Sequence, residues 1–249
     1  MINPWLATIL SVFVVSLIAF VGILFLVIKK QLLEKIIFFL VSFAAGGLLG
    51  GAFIHLLPEA IKELGVGFNF SFSVLVGILS FFVLEKFIFW RHCHIPTSKK
   101  HPHPLVFMNL IGDAFHNFID GVVIAAGFLV SFPLGIATSL AVVLHEIPQE
   151  IGDFSVLVYG GFSKKKALFF NFLSALTAVL GAVLTLILGS RFIEVIPLVI
   201  PFTAGGFIYI ASSDLIPELK KESNIFKSAL QFLGLLLGIT LMSLLSLYE

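Results

Sequence analysis

Two stretches of the chain carry ionisable side chains inside otherwise apolar sequence. Residues 105–129 hold Asp113, His116, Asn117 and Asp120, and residues 134–159 hold His145, Glu146, Gln149, Glu150 and Asp153. Positions four apart share one face of a helix, so His116 stands over Asp120, His145 over Gln149 and Glu146 over Glu150. Asp113, Asp120, Glu146, Glu150 and Asp153 are five of the 14 acidic residues of the chain, and neither stretch holds a Lys or Arg. A buried carboxylate needs a positive partner or it takes up a proton. With no basic side chain at hand, the natural partner is a cation from solution. Imidazole nitrogen with carboxylate oxygen is a ligand set for zinc, iron, manganese or cobalt, and the lack of thiolates argues against copper(I). The candidate ligands are His116, Asn117, Asp120, His145, Glu146, Gln149 and Glu150. Asp113 and Asp153 are expected to cap or hydrate the path, to lend it negative potential or to carry protons. Pro148 cannot donate to the carbonyl of Leu144, so a kink beside His145 is expected.

The elements that must hold these residues are membrane helices. Of 249 residues, 59% are hydrophobic and 12% charged, more apolar surface than a water-soluble domain of this length can hide. Eight apolar stretches are long enough to cross a bilayer: 5–28, 36–57, 72–90, 105–129, 134–159, 167–190, 195–216 and 225–247. Backbone groups in lipid must pair within the segment, and no barrel-like alternation is present, so each reads as a helix. The expected fold is a single all-α transmembrane domain over 1–249. One cysteine, Cys93, excludes an internal disulfide. No signal peptide is expected, since no basic segment precedes the apolar run that starts at Pro4.

Thirteen of the 15 basic residues fall in alternate loops, and only Lys62 and Arg191 fall on the other side. The basic side faces the cytoplasm, which puts both termini outside. The cytosolic loop 91–104 then holds His92, His94, His101 and His103, a tract able to bind metal, receive an ion or sense it. The chain also repeats itself. AAGGLLGGAFIHLLPEA at 44–60 aligns without a gap on TAGGFIYIASSDLIPEL at 203–219, which puts His55 opposite Asp214. The two segments cross in opposite directions, so spans 1–3 and 6–8 form an inverted repeat around spans 4–5. His55 and Asp214 are candidate residues of the ion pathway.

HNFIDG at 116–121, HEIPQEIGD at 145–153 and HLLPEA at 55–60, with the eight spans and the histidine-bearing loop, resemble the ZIP (Zrt-/Irt-like) metal transporters. The fifth stretch is most similar to the branch that reads HEIPHE there. The resemblance implies uptake of divalent cations, zinc foremost, with iron, manganese or cadmium as alternatives. It implies a metal centre between the fourth and fifth helices, built from His116, Asn117, Asp120, His145, Glu146 and the position of Gln149. It also implies an elevator-like or rocking motion of a four-helix unit, homodimers, and uptake into the cytoplasm from outside or from an organelle; the cell membrane is the expected location. Two positions depart from the family pattern. Gln149 stands where that branch has a second histidine. Ala178 stands where many bacterial members have an acid, which argues against a complete two-metal centre.

An intramembrane zinc protease is the rival reading. Its HExxH signature needs two histidines on zinc and the glutamate as base. Here His145-Glu146-Ile147-Pro148-Gln149 supplies the first half only. The expectation is a carrier, not an enzyme, with the metal as cargo and no prosthetic group. Its partners are divalent ions, the bilayer and a second copy of the chain, without nucleic acid.

Overall fold

The computed structural model describes residues 3–26, 29–92, 102–189 and 195–246. The first long helix runs Pro4–Ser16 and tightens into a 3-10 helix over Leu17–Phe25. The second runs Lys30–Gly50, passes through a π-helical stretch Gly51–Leu56 and ends as Leu57–Leu64. The third is Phe68–His92, the fourth Leu105–Val130 and the fifth Phe132–Tyr159. The sixth comprises Lys164–Ala175 and Thr177–Leu188. The seventh comprises Ile196–Tyr209, a π-helical stretch Ile210–Leu215 and Ile216–Leu219. The eighth is Ile225–Leu245.

Seven of these rods are long and apolar enough to cross a membrane. The fifth is not among them despite its 28 residues. The residues that could do chemistry are the ones that lower its hydropathy. Its polar face packs against the first, second, fourth and sixth helices, while Leu140, Leu144 and Ile147 are exposed on the opposite side.

Local signals explain the helix ends. Asn3 caps the first helix by accepting the N–H of Trp5 at 2.9 Å, with Pro4 in the first turn. Ser131, Ser163 and Asn224 cap the fifth, sixth and eighth helices in the same manner. The second helix runs on beyond the end of its apolar stretch near residue 57. Pro58 to Leu64 form an amphipathic last turn, which stops where Gly65 takes a φ of 68°. Pro58 and Pro217 each follow a π-helical stretch by two residues. Proline has no N–H to give and its ring crowds the carbonyl four residues back; the wider π turn relieves both. The shift that aligns 44–60 with 203–219 also carries 51–56 onto 210–215, so the two π stretches occupy matching places.

The helices pack in two groups. The first, fourth, fifth and sixth pack on one another, while the second pairs with the eighth and the third with the seventh. Close backbone approach by small residues makes these pairs, as expected where lipid supplies no hydrophobic drive for association. A Cβ on Gly121 would run into the carbonyl of Ala178, and one on Gly181 into the carbonyl of Phe118, so the fourth and sixth helices need glycine on both sides. The two groups meet along the second helix against the fifth and the seventh against the fourth. There Gly152 faces Ala44, and a Cβ on Gly152 would crowd the Ala44 Cβ at 3.0 Å.

Candidate metal centre

The four-residue spacing on the fourth helix and the adjacent pair on the fifth bring His116, Asp120, His145 and Glu146 together. One ligand atom from each lies within 4.8 Å of all the others. His116 Nε2 is 3.4 Å from Asp120 Oδ2 and 3.4 Å from Glu146 Oε1, and His145 Nε2 is 3.3 Å from Asp120 Oδ2. His145 Nε2 to Glu146 Oε1 is longer, 4.0 Å. Zinc bonds of about 2.05 Å in a tetrahedron put neighbouring ligand atoms about 3.3 Å apart. Three of the four separations match that edge, which is loose for hydrogen bonds. All four residues are buried, at most 5% exposed. Both ring nitrogens of His116 and both carboxylate oxygens of Glu146 make no well-formed hydrogen bond. Leaving such groups dry and unpaired is costly, and a divalent ion would satisfy them together. The two carboxylates also balance a charge of two.

Aromatic groups hold the imidazoles in place. The His116 ring lies 5.2 Å from Phe207 and 5.4 Å from His145. His55, on the π-helical stretch of the second helix, reaches the other face of the pair, 5.1 Å from the His145 ring. A cleft of about 390 Å³ opens on this side. His55, Glu59, Lys62 and Glu63 line it, with Asp120 reaching its wall from the cluster.

The remaining sequence candidates lie elsewhere. Asn117 turns its amide N–H to Asp113 Oδ1 at 2.8 Å and leaves its own oxygen unpaired. Gln149 lines a small separate cavity against the second and eighth helices, with Ala44, Gly47 and Met242. Glu150 accepts a hydrogen bond from Asn171 of the sixth helix, and Asp113 from Ser174. Asp153 accepts from Asn109 at 2.9 Å. Asn109, Asn171, Ser174 and Phe207 were not picked out in the sequence. The polar residues among them stand one helical turn or so from a recognised acid or on a facing helix, and only packing shows which face they take.

Asp214 is buried on the π-helical stretch of the seventh helix. Nearby Tyr209 donates to Glu85, and Tyr159 donates to Glu218 at 2.7 Å. His103 Nε2 stands 3.9 Å from Glu218 Oε1. Burial pulls the His103 pKa below the usual imidazole value, against the opposing pull of Glu218. His94 and His101 lie outside the described residues, as does the side chain of His92. Pro148 sits inside a helix that runs without a break from Phe132 to Tyr159.

A membrane-embedded helical bundle with a buried His/Asp/Glu cluster on two adjacent helices defines a metal-handling membrane protein. The sequence profile described as ZIP zinc transporter matches residues 2–106 and 97–246, and the chain belongs to that family. It is 38% identical over 225 residues to zinc transporter ZIP13 of Pongo abelii, covering 84% of this chain and 66% of the relative. It is 32% identical to zinc transporter zipt-7.2 of Caenorhabditis elegans, over 84% of this chain and 58% of the relative. The figure is again 32% for zinc transporter SLC39A7 of Rattus norvegicus, over 83% and 64%. The chain thus spans somewhat under two thirds of the length of these relatives.

Proposed function

We propose that this protein carries divalent metal cations, zinc foremost, across a membrane into the cytoplasm. The observation that carries the reading is the set of four buried ligand atoms on the fourth and fifth helices, spaced for one ion, with the His116 nitrogens and the Glu146 oxygens left without a hydrogen bond. The cation approaches through the cleft beside Glu59 and Glu63, meets Asp120 first, and sheds water onto His116, Asp120, His145 and Glu146. Asn117 and Gln149 are polar groups close enough along their helices to take part as the ion moves. The charge pattern of the loops orients the cleft outward and both termini outside, in the cell membrane. Transport then moves the first, fourth, fifth and sixth helices as a body against the other four. Their mutual packing and the small-residue seam at Gly152 and Ala44 support that division. The matching π stretches and the exchanged pairings (second with eighth, third with seventh) support eight spans and an inverted repeat. Asp214, Glu218 and the histidines of the 91–104 loop are placed in this reading on the release side. The protein works as a homodimer, as the family resemblance implies.

The protease reading loses its footing at Gln149, which faces a separate cavity and is a weak neutral ligand. A catalytic zinc wants three firm protein ligands and an activated water. The test is radiolabelled zinc uptake into proteoliposomes, with iron, manganese and cadmium as competitors. Saturable uptake that is lost in His145→Ala is expected; undiminished uptake by that variant would sink the assignment.

A further inference from the structure

The two helix groups stand apart at one end and are tied at the other. At the first end the cleft of about 390 Å³ runs between His55, Glu59 and Glu63 of the second helix and Asp120, Leu134 and Thr138 of the fourth and fifth. At the opposite end Tyr159, the last residue of the fifth helix, donates its hydroxyl hydrogen to Glu218 Oε2 of the seventh at 2.7 Å. Its ring packs edge-on against Phe38 of the second helix, with centroids 5.5 Å apart. One side chain of the first group thus holds two helices of the second.

Neighbouring bonds hold this tie in line. The backbone N–H of His103 donates to the carbonyl of Gly160 at 2.9 Å, which fastens the start of the fourth helix to the end of the fifth. The N–H of Leu105 donates to His103 Nδ1 at 3.3 Å, and the other ring nitrogen, Nε2, stands 3.9 Å from Glu218 Oε1. Lys221, two residues beyond the seventh helix, donates to the same carboxylate. An ionised acceptor makes a stronger hydrogen bond than a neutral one. By contrast, the bonds of Ser16 to the Ala175 carbonyl, Lys164 to Phe25 and Thr177 to Ala114 stay inside the first group. They hold that group together without restraining it against the second.

We propose that the Tyr159–Glu218 hydrogen bond is a latch that keeps the two helix groups closed at the cytosolic end and opens to let the ion leave. The latch rests on the transport reading for its moving group and its direction. Lys164, Lys165 and Lys166 follow Tyr159 within seven residues, and Lys220 and Lys221 follow Glu218 within three, which puts the latch on the cytosolic side. With the cleft open at one end and the seam tied at the other, this is the outward-facing member of a two-state pair. A hydrogen bond to an ionised acceptor that exists in one state only biases the equilibrium by about ten-fold or more. Release leaves no unpaired charge in the seam, because Glu218 keeps Lys221.

The test reads exposure of the seam separately from transport. Leu215 lies one turn deeper than Glu218 on the seventh helix and is fully buried. In a Cys93→Ser background, Leu215→Cys is labelled in inside-out vesicles by a membrane-impermeant maleimide. Tyr159→Phe should speed labelling about ten-fold, and so should Glu218→Ala. The two together should be no faster than either alone, because both remove one bond. Glu218→Gln still accepts the phenol and should label near the background rate. A labelling rate unchanged by Tyr159→Phe, or effects that multiply in the double variant, overturns the latch. Where Leu215→Cys does not fold, Val156→Cys, buried on the fifth helix one turn before Tyr159, takes its place. Zinc uptake is followed in parallel. Labelling that follows the latch in a protein that takes up no zinc would defeat the transport reading alone, and uptake with labelling indifferent to Tyr159 would defeat the latch alone.

Discussion

Two buried polar regions sit side by side on the same pair of helices and have different fates. In the first region Asp120 and Glu146 face imidazoles at tetrahedral spacing, open to a cleft at Asp120. In the second region Asp113, Glu150 and Asp153 face amides and a hydroxyl, tied to the sixth helix through Asn171 and Ser174. The carboxylates are of the same kind; their neighbours are not. The imidazoles bring their ligand atoms together with the carboxylates beside an open approach, whereas the amides and the hydroxyl hold the other acids apart in hydrogen bonds. The comparison teaches that the partner of a buried acid decides whether it is left to meet an ion or is satisfied within the protein.

The strongest way to break this contrast is to exchange the fates of the two regions. His145→Ala should lower zinc uptake by at least about a hundred-fold, beyond the 10- to 100-fold that loss of a supporting residue costs a metal site. Asn171→Ala should leave zinc uptake within a few-fold of wild type and instead destabilise the protein by about 1–3 kcal/mol, because Glu150 loses its donor. Parallel uptake and thermal-unfolding measurements decide the point, and a variant pair with the reverse pattern would dissolve the distinction.

A second prediction separates binding from movement. Gly152→Leu drives a side chain into Ala44 at the seam between the two helix groups. It should retain zinc binding in micelles and lose most uptake in vesicles. Uptake at the wild-type rate would mean that the groups do not slide there.

Smaller effects are expected at the two ends. Glu59→Gln/Glu63→Gln should slow uptake a few-fold at low salt and less at high salt, because charges lining the cleft act by steering. His103 should titrate below the ordinary imidazole value of 6.5 in nuclear magnetic resonance spectra of ring-labelled protein. Its neutral form is the one the fold favours, so this contribution to stability is present above that value and fades as pH falls through the folded pKa. A ring that titrates above it would mean that Glu218 outweighs burial.

The candidate centre was legible in the sequence because its signals are local. Helical periodicity pairs His116 with Asp120, and adjacency pairs His145 with Glu146. The cost of a charge in lipid makes any such residue conspicuous. Membrane helices were equally legible, since hydrocarbon leaves the backbone no partner but itself. The fifth helix shows the limit: the acids that betray its role also lower its hydropathy below that of the other seven.

Sequence by itself determined which segments are helices and which side chains can bind a cation, because these depend on neighbours within about one helical turn. Only the tertiary structure decided that Gln149 and Glu150 turn to different surroundings from His145 and Glu146, and that Asn171 and Ser174 of the sixth helix complete a second polar region. The reason is geometric. A helix presents all its faces in sequence, and what each face meets is set by the glycine contacts that bring distant helices together, such as Gly121 on Ala178 and Gly181 on Phe118.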